Sequence, residues 1–170
     1  MKNTTKFFAL TLAMLTLTIS SFAQVSATAT TSANIITPIA ITKTVDMNFG
    51  NIAVSPTVAG TVVLVPAGTR TATGGVTLPA VAGTVTAASF AVTGLGTSTY
   101  AITLPGTITL NGTPSGTMTL GNFASTPSGT GVLSAGAQTI LVGGTLNVGA
   151  GQTAGVYTNS TNMTVTVNYN

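Results

Sequence analysis

The chain has 170 residues, with four Lys plus Arg, one acidic residue, and no His, Cys or Trp. Only 3% of it is charged, against about a quarter in an average soluble domain. That inventory excludes nucleic-acid recognition through clustered cations, metal binding through Cys, His or carboxylate clusters, and most acid–base and nucleophilic catalysis. The expectation is a non-enzymatic protein with no cofactor and no metal.

Met1-Lys2-Asn3-Thr4-Thr5-Lys6 is a short basic start, and Phe7 to Ile19 is an apolar run. Ser21-Phe22-Ala23 then sets small residues where a signal peptidase reads, predicting cleavage between Ala23 and Gln24. The run is too short for a transmembrane anchor, which needs about 20 apolar residues. Residues 1–23 therefore read as a signal peptide and residues 24–170 as one exported domain held without disulfides. After Gln24 the charged residues are Lys43, Asp46 and Arg70 alone. A surface so poor in charge suits a protein that packs against copies of itself.

The mature chain reads as strands throughout. Val25 to Ile35 alternates small apolar with polar residues, as a strand or an extended arm. Pro38 interrupts, marking an edge or a jump between sheets. Ile39 to Val45 resumes the alternation, with Lys43 as an edge-strand gatekeeper. Asp46 reads as a turn former; its other readings are a partner for Lys43 or Arg70, or the promoter of a Lys–Asn isopeptide bond. Phe49 is a core anchor and Gly50 a turn or bulge.

Thr61 to Val65 is a strand ended by Pro66-Ala67-Gly68, and Gly74-Gly75 marks a bulge or turn. Ser89–Thr93 and Tyr100–Leu104 flank a Gly-rich loop as in an antiparallel hairpin. Thr107 to Leu110 leads into Asn111-Gly112, the strongest short turn dipeptide. Met118 to Phe123 follows, then a loop from Ala124 to Gly131. Ala137 to Val142 and Thr145 to Val148 precede Gly149-Ala150-Gly151-Gln152-Thr153-Ala154, which matches a loose dinucleotide pattern but is read as a Gly-rich hairpin, because a strand follows and no acid does.

The last stretch alternates without a break. Met163, Val165, Val167 and Tyr169 point one way, and Thr164, Thr166, Asn168 and Asn170 the other. About ten short strands with turn signals between them, and no helical periodicity, predict an all-β antiparallel sandwich of immunoglobulin-like or pilin-like type.

Several segments together resemble an exported bacterial family, domain of unknown function 4402. They are Thr37 to Thr44, Met47-Asn48-Phe49-Gly50, Ala72 to Val76, Gly143 to Gly149, Ala154 to Tyr157, and Val165 to Tyr169. The leader ending Phe22-Ala23-Gln24 is similar to those of Bacteroidetes. This resemblance implies export and a β-sandwich. The C-terminus, with Tyr169 penultimate and Gly155 upstream, is also similar to chaperone–usher pilin subunits. That resemblance implies a docking strand comprising Gly155, Met163, Val165, Val167 and Tyr169, an N-terminal arm from Val25 to Ala33, neighbouring fibre subunits and a periplasmic chaperone as partners. The functional expectation is a structural or self-associating protein of the periplasm, cell surface or exterior. The alternative is a self-contained adhesin-type module that binds through Ala124–Gly131 and Tyr100.

Overall fold

The structure, a computed structural model, describes residues 24–159 and 163–170. The expected signal peptide, with Ala23, lies outside the described residues. Residues 24–35 carry no strand and are exposed throughout, so of the two readings for Val25 to Ile35, strand or extended arm, the strand is absent. Ile36–Asn170 forms a compact body.

Among the described residues the body is all β, with thirteen strands against about ten expected. In chain order they are β1 (Ala40–Val45), β2 (Ala53–Val54), β3 (Gly60–Leu64), β4 (Arg70–Gly74), β5 (Val76–Thr77), β6 (Ala88–Thr93) and β7 (Thr99–Thr103). The rest are β8 (Ile108–Thr113), β9 (Thr117–Thr126), β10 (Thr130–Val132), β11 (Ala137–Val148), β12 (Val156–Asn159) and β13 (Thr166–Tyr169). One large antiparallel sheet runs β1-β6-β11-β9-β8-β12, with β3 and then β4 added beside β11. A three-stranded sheet, β10-β7-β13, and the small β2-β5 pair complete the set. The result is a β-sandwich.

Strand β11 is the spine. On one flank its residues 137–142 pair with β6 and its residues 144–148 with β3; on the other flank it pairs with β9. Its alternation puts Ile140, Val142, Leu146 and Val148 on one buried face. The first pair joins a core with Phe90, Val92, Tyr100, Ile102, Val165 and Val167. The second pair joins another with Phe49, Val62, Leu64, Met118 and Leu120. Gly143 sits where β6 and β3 meet end to end. A Cβ there would fall against the Leu64 carbonyl oxygen, 2.7 Å from the Val65 carbonyl carbon and 2.9 Å from the Pro66 nitrogen. Only glycine lets the two strands share one partner.

Strand β9 solves the same problem with a bulge. Gly143 faces Ala124, yet Thr145 faces Gly121, so β9 spends one residue more than β11 between those pairs. Asn122 takes the extra place at φ 46°. Met118 and Leu120 face inward before it, Phe123 and Ser125 after it, so the inward row changes parity and Phe123 packs against both cores.

Several local expectations give way to this packing. Ser89–Thr93 and Tyr100–Leu104 are not a hairpin: β6 lies in the large sheet and β7 in the small one. Both strands carry large inward rows, and facing them across the core buries more apolar surface than pairing them side by side. Asn111-Gly112 lies inside β8, and the turn comes at Thr113 to Gly116, closed by the Gly112 N–H on the Gly116 carbonyl at 2.8 Å. The expected loop Ala124–Gly131 is mostly strand, leaving only residues 127–129 between β9 and β10; Ser125 is buried there and donates to the Pro127 carbonyl. Gly149-Ala150-Gly151 is no hairpin either, because β11 and β12 are separated in the sheet by β9 and β8.

Candidate functional site

Each of the three tyrosines lies on a glycine. Tyr100 is fully buried; its hydroxyl donates to Gln138 Oε1 at 2.7 Å, which also accepts the Val132 N–H at 2.9 Å. Its ring occupies the space where Gly131 would carry a Cβ. Burial raises its pKa above the ordinary tyrosine value. A ring with no exposed face stacks no sugar, so Tyr100 is not the binding platform of the adhesin alternative. The loop expected to carry that site is also strand.

Tyr157 on β12 crosses Gly112, where a Cβ would meet its ring at 2.5 Å. Its hydroxyl donates to the Thr153 carbonyl at 2.7 Å and accepts from the Gln152 side-chain amide at 3.0 Å. Tyr169 lies over Gly94, donates to the Thr37 carbonyl at 2.9 Å and accepts the Leu95 N–H at 2.6 Å. One hydroxyl thus ties the last strand both to the chain entering β1 and to the arch between β6 and β7.

The three charged residues of the body have structural partners. Lys43 pairs with Asp46 at 2.5 Å on the surface, so the Asp46 carboxylate serves Lys43 instead of forming the expected turn. Arg70 donates to the carbonyls of Phe49, Asn51 and Ala82. Asn48 Oδ1 accepts the Gly50 N–H at 2.8 Å, and the Asn48 backbone exchanges hydrogen bonds with Thr86. The Asn48-Phe49-Gly50 motif is therefore a clamped turn that drives Phe49 into the core. Sequence reasoning gave Arg70 no such role. Its signal is present: a lone cation with five donors, in a chain with one carboxylate, needs carbonyl partners.

What remains open is a cleft of about 1160 Å³ between the layers. Ile108, Leu110, Met118 and Leu120 of β8 and β9 line one side, and the turn around Phe49 lines another. Tyr157, Thr158 and Met163 reach it from the β12 side. The Lys43–Asp46 pair and Gln152 also line it. Among the described residues no three of His, Cys, Asp and Glu gather, so this surface offers apolar contact and strand edges.

The edges differ. On β1 the edge carries Lys43, and on β10 the Val132 amide is taken by Gln138. Among the described residues strand β12 pairs with β8 alone; it carries no charge and leaves Val156 70% exposed. An uncharged edge strand with an exposed apolar side chain is the kind that accepts another strand.

The residues expected to form one docking strand fall in two places. Val165 and Val167 are buried and Met163 and Tyr169 pack against them, all in the core under the three-stranded sheet. Gly155 precedes β12 in the large sheet, its α-carbon closely packed on the Thr113 carbonyl. Gln24 is exposed. No curated protein and no solved structure matches this chain. The family model described as domain of unknown function (DUF4402) matches residues 39–169, and the chain belongs to that family.

Proposed function

We propose that the chain is an exported, non-enzymatic structural protein that associates with copies of itself, as a fimbrial, pilin-like or matrix subunit of a bacterial surface. The observation that carries this reading is the uncharged edge strand β12, which pairs with β8 alone among the described residues and borders an interlayer cleft floored by Ile108, Leu110, Met118 and Leu120. A body whose one ion pair among the described residues is Lys43–Asp46 has little electrostatic repulsion to keep copies apart. The basic-apolar-small pattern of residues 1–23 supports export. Its partners are then neighbouring subunits, with a periplasmic chaperone to cover the cleft before assembly. The three tyrosines and Arg70 are engaged in hydrogen bonds within the fold, which supports the non-enzymatic reading.

Light scattering coupled to gel filtration tests the reading on residues 24–170. The expected outcome is oligomers whose mass grows with concentration from about 1 to 100 µM, the range where exposed strand edges associate. A monomer at every concentration refutes it.

A further inference from the structure

From Gln24 onward the chain has three methionines, Met47, Met118 and Met163, and all three line the one cleft between the layers. Methionine is unbranched and polarizable, so it moulds to partners of irregular shape and is favoured on surfaces that bind adaptable apolar ligands. The cleft's volume, about 1160 Å³, is at or above the roughly 300–1,000 Å³ of small-molecule sites. Hydrogen bonds pin both of its sides. On one, Arg70 holds the carbonyls of Phe49, Asn51 and Ala82. On the other, the Tyr157 hydroxyl donates to the Thr153 carbonyl and accepts from the Gln152 amide, which also donates to the Thr117 carbonyl at 3.0 Å. Walls fixed in this way are preorganised for an occupant, and the floor residues Ile108 and Leu110 stay half-buried between them.

We propose that this cleft binds an uncharged single-chain amphiphile, a hydrocarbon chain ending in a hydroxyl or ester head. The chain lies over the apolar floor, and the head stays at the polar rim. Charge selects the class. Among the described residues the charged side chains lining the cleft are Lys43 and Asp46, paired at 2.5 Å and largely in solvent, at 55% and 78% exposure. An anionic head would have to displace Asp46 from Lys43, and a cationic head Lys43 from Asp46. An uncharged head leaves the pair intact and buries no unpaired charge. A flexible chain, in turn, suits a lining in which methionine recurs. The inference stands apart from the self-association reading, because it concerns the cleft of a single copy.

The test titrates N-phenyl-1-naphthylamine, an uncharged fluorophore that brightens in apolar surroundings, into residues 24–170 at about 1 µM, a concentration that resolves micromolar affinity. The expected result is saturable binding at one site per chain. 1-Decanol should displace the probe at a concentration about tenfold lower than decanoate does, because a carboxylate entering the cleft finds no partner for its charge. That comparison uses the unaltered chain, so it holds whatever a substitution does to folding. Ile108→Trp fills the floor and should weaken probe binding about tenfold while the Tm holds or rises, since filling a cleft adds apolar contact. Leu110→Phe, a smaller filling of the same floor, should act in the same direction. Val132→Ser removes an exposed apolar side chain on β10, outside the cleft, and should leave affinity unchanged. Absence of saturable binding, equal displacement by alcohol and carboxylate, or the same affinity in Ile108→Trp as in Val132→Ser overturns the proposal. So does probe binding that vanishes as the protein is raised to about 100 µM, where exposed apolar surfaces associate, because that assigns the cleft to a second copy. A chain that binds the probe yet stays monomeric refutes self-association and leaves this site standing.

Discussion

Gly143→Ala tests the claim that two strands share β11. The glycine's φ is not in the left-handed region, so the substitution carries no backbone penalty of its own. Its cost is steric: the new methyl lies against the Leu64 carbonyl and 2.7 Å from the Val65 carbonyl carbon. Both neighbours are backbone, and the Leu64–Gly144 and Val63–Thr145 pairs hold them in register. Relief requires β3 to withdraw by roughly 1 Å, which thins the packing of Leu64 and Val62 on Leu146. Overpacking of this kind costs about 1–3 kcal/mol, and weakening a ladder hydrogen bond adds about 1. A loss of about 3 kcal/mol lowers the Tm by about 9 °C for a body of this size. Thermal unfolding followed by circular dichroism reads it, with Gly106→Ala as the matched control. Nothing lies within 4 Å of a Cβ at Gly106, so that change alters stability by less than about 1 kcal/mol, on the stabilising side. If Gly143→Ala melts with the control, β3 and β6 do not abut on β11.

Two other outcomes follow from the tyrosines. Burial holds the folded pKa of Tyr100 above its unfolded value of about 10, so the stabilisation is complete below pH 10 and is lost as pH rises towards the folded pKa. Urea unfolding between pH 9 and 11 should show stability falling by up to about 1.4 kcal/mol per pH unit for this group, and Tyr100→Phe should flatten that slope; an unchanged slope in the variant refutes the assignment. Tyr169→Phe strands the Thr37 carbonyl and the Leu95 N–H. It should cost about 1–2 kcal/mol in chemical denaturation and speed amide exchange at Leu95, while a shift below about 0.3 kcal/mol would show that water replaces the hydroxyl without loss.

Alternation marked the inward row where large apolar side chains carried it, and misled over Val25 to Ile35, where the row is mostly alanine and no strand forms. The row Met163, Val165, Val167 and Tyr169 lies in the core as its period required, and Phe49 is the anchor its motif suggested. Partners were less legible than strands. A period of two says which side chains face inward, not which strand lies alongside, so Ser89–Thr93 and Tyr100–Leu104 looked like a hairpin when they face each other across the core. Asn111-Gly112 carries a turn propensity worth at most a kcal/mol or so; the Tyr157 ring over Gly112 and the ladder to β12 outweigh it. Ala124–Gly131 looked like a loop because Ser, Thr, Pro and Gly are also the residues of a bulged, uncharged strand. The cleft was not legible, since it arises from layers brought together by residues far apart in the chain. The C-terminal residues grouped by the pilin resemblance show the same limit: periodicity joined Met163 to Tyr169, and only the sheet order sets Gly155 apart.

The hydroxyl of Tyr169 also bears on how the body comes into being. It reaches Thr37, 132 residues earlier in the chain, and the strand that carries it supplies Val167 to the core. A growing or threading chain can form the β3–β4 and β8–β9 pairs locally. It cannot close the first core until Val165 to Tyr169 have emerged. Completing that core is thereby deferred to one late, long-range event, the kind that makes folding slow. A chain shortened by two residues would lack the closing contact, although almost every strand was present.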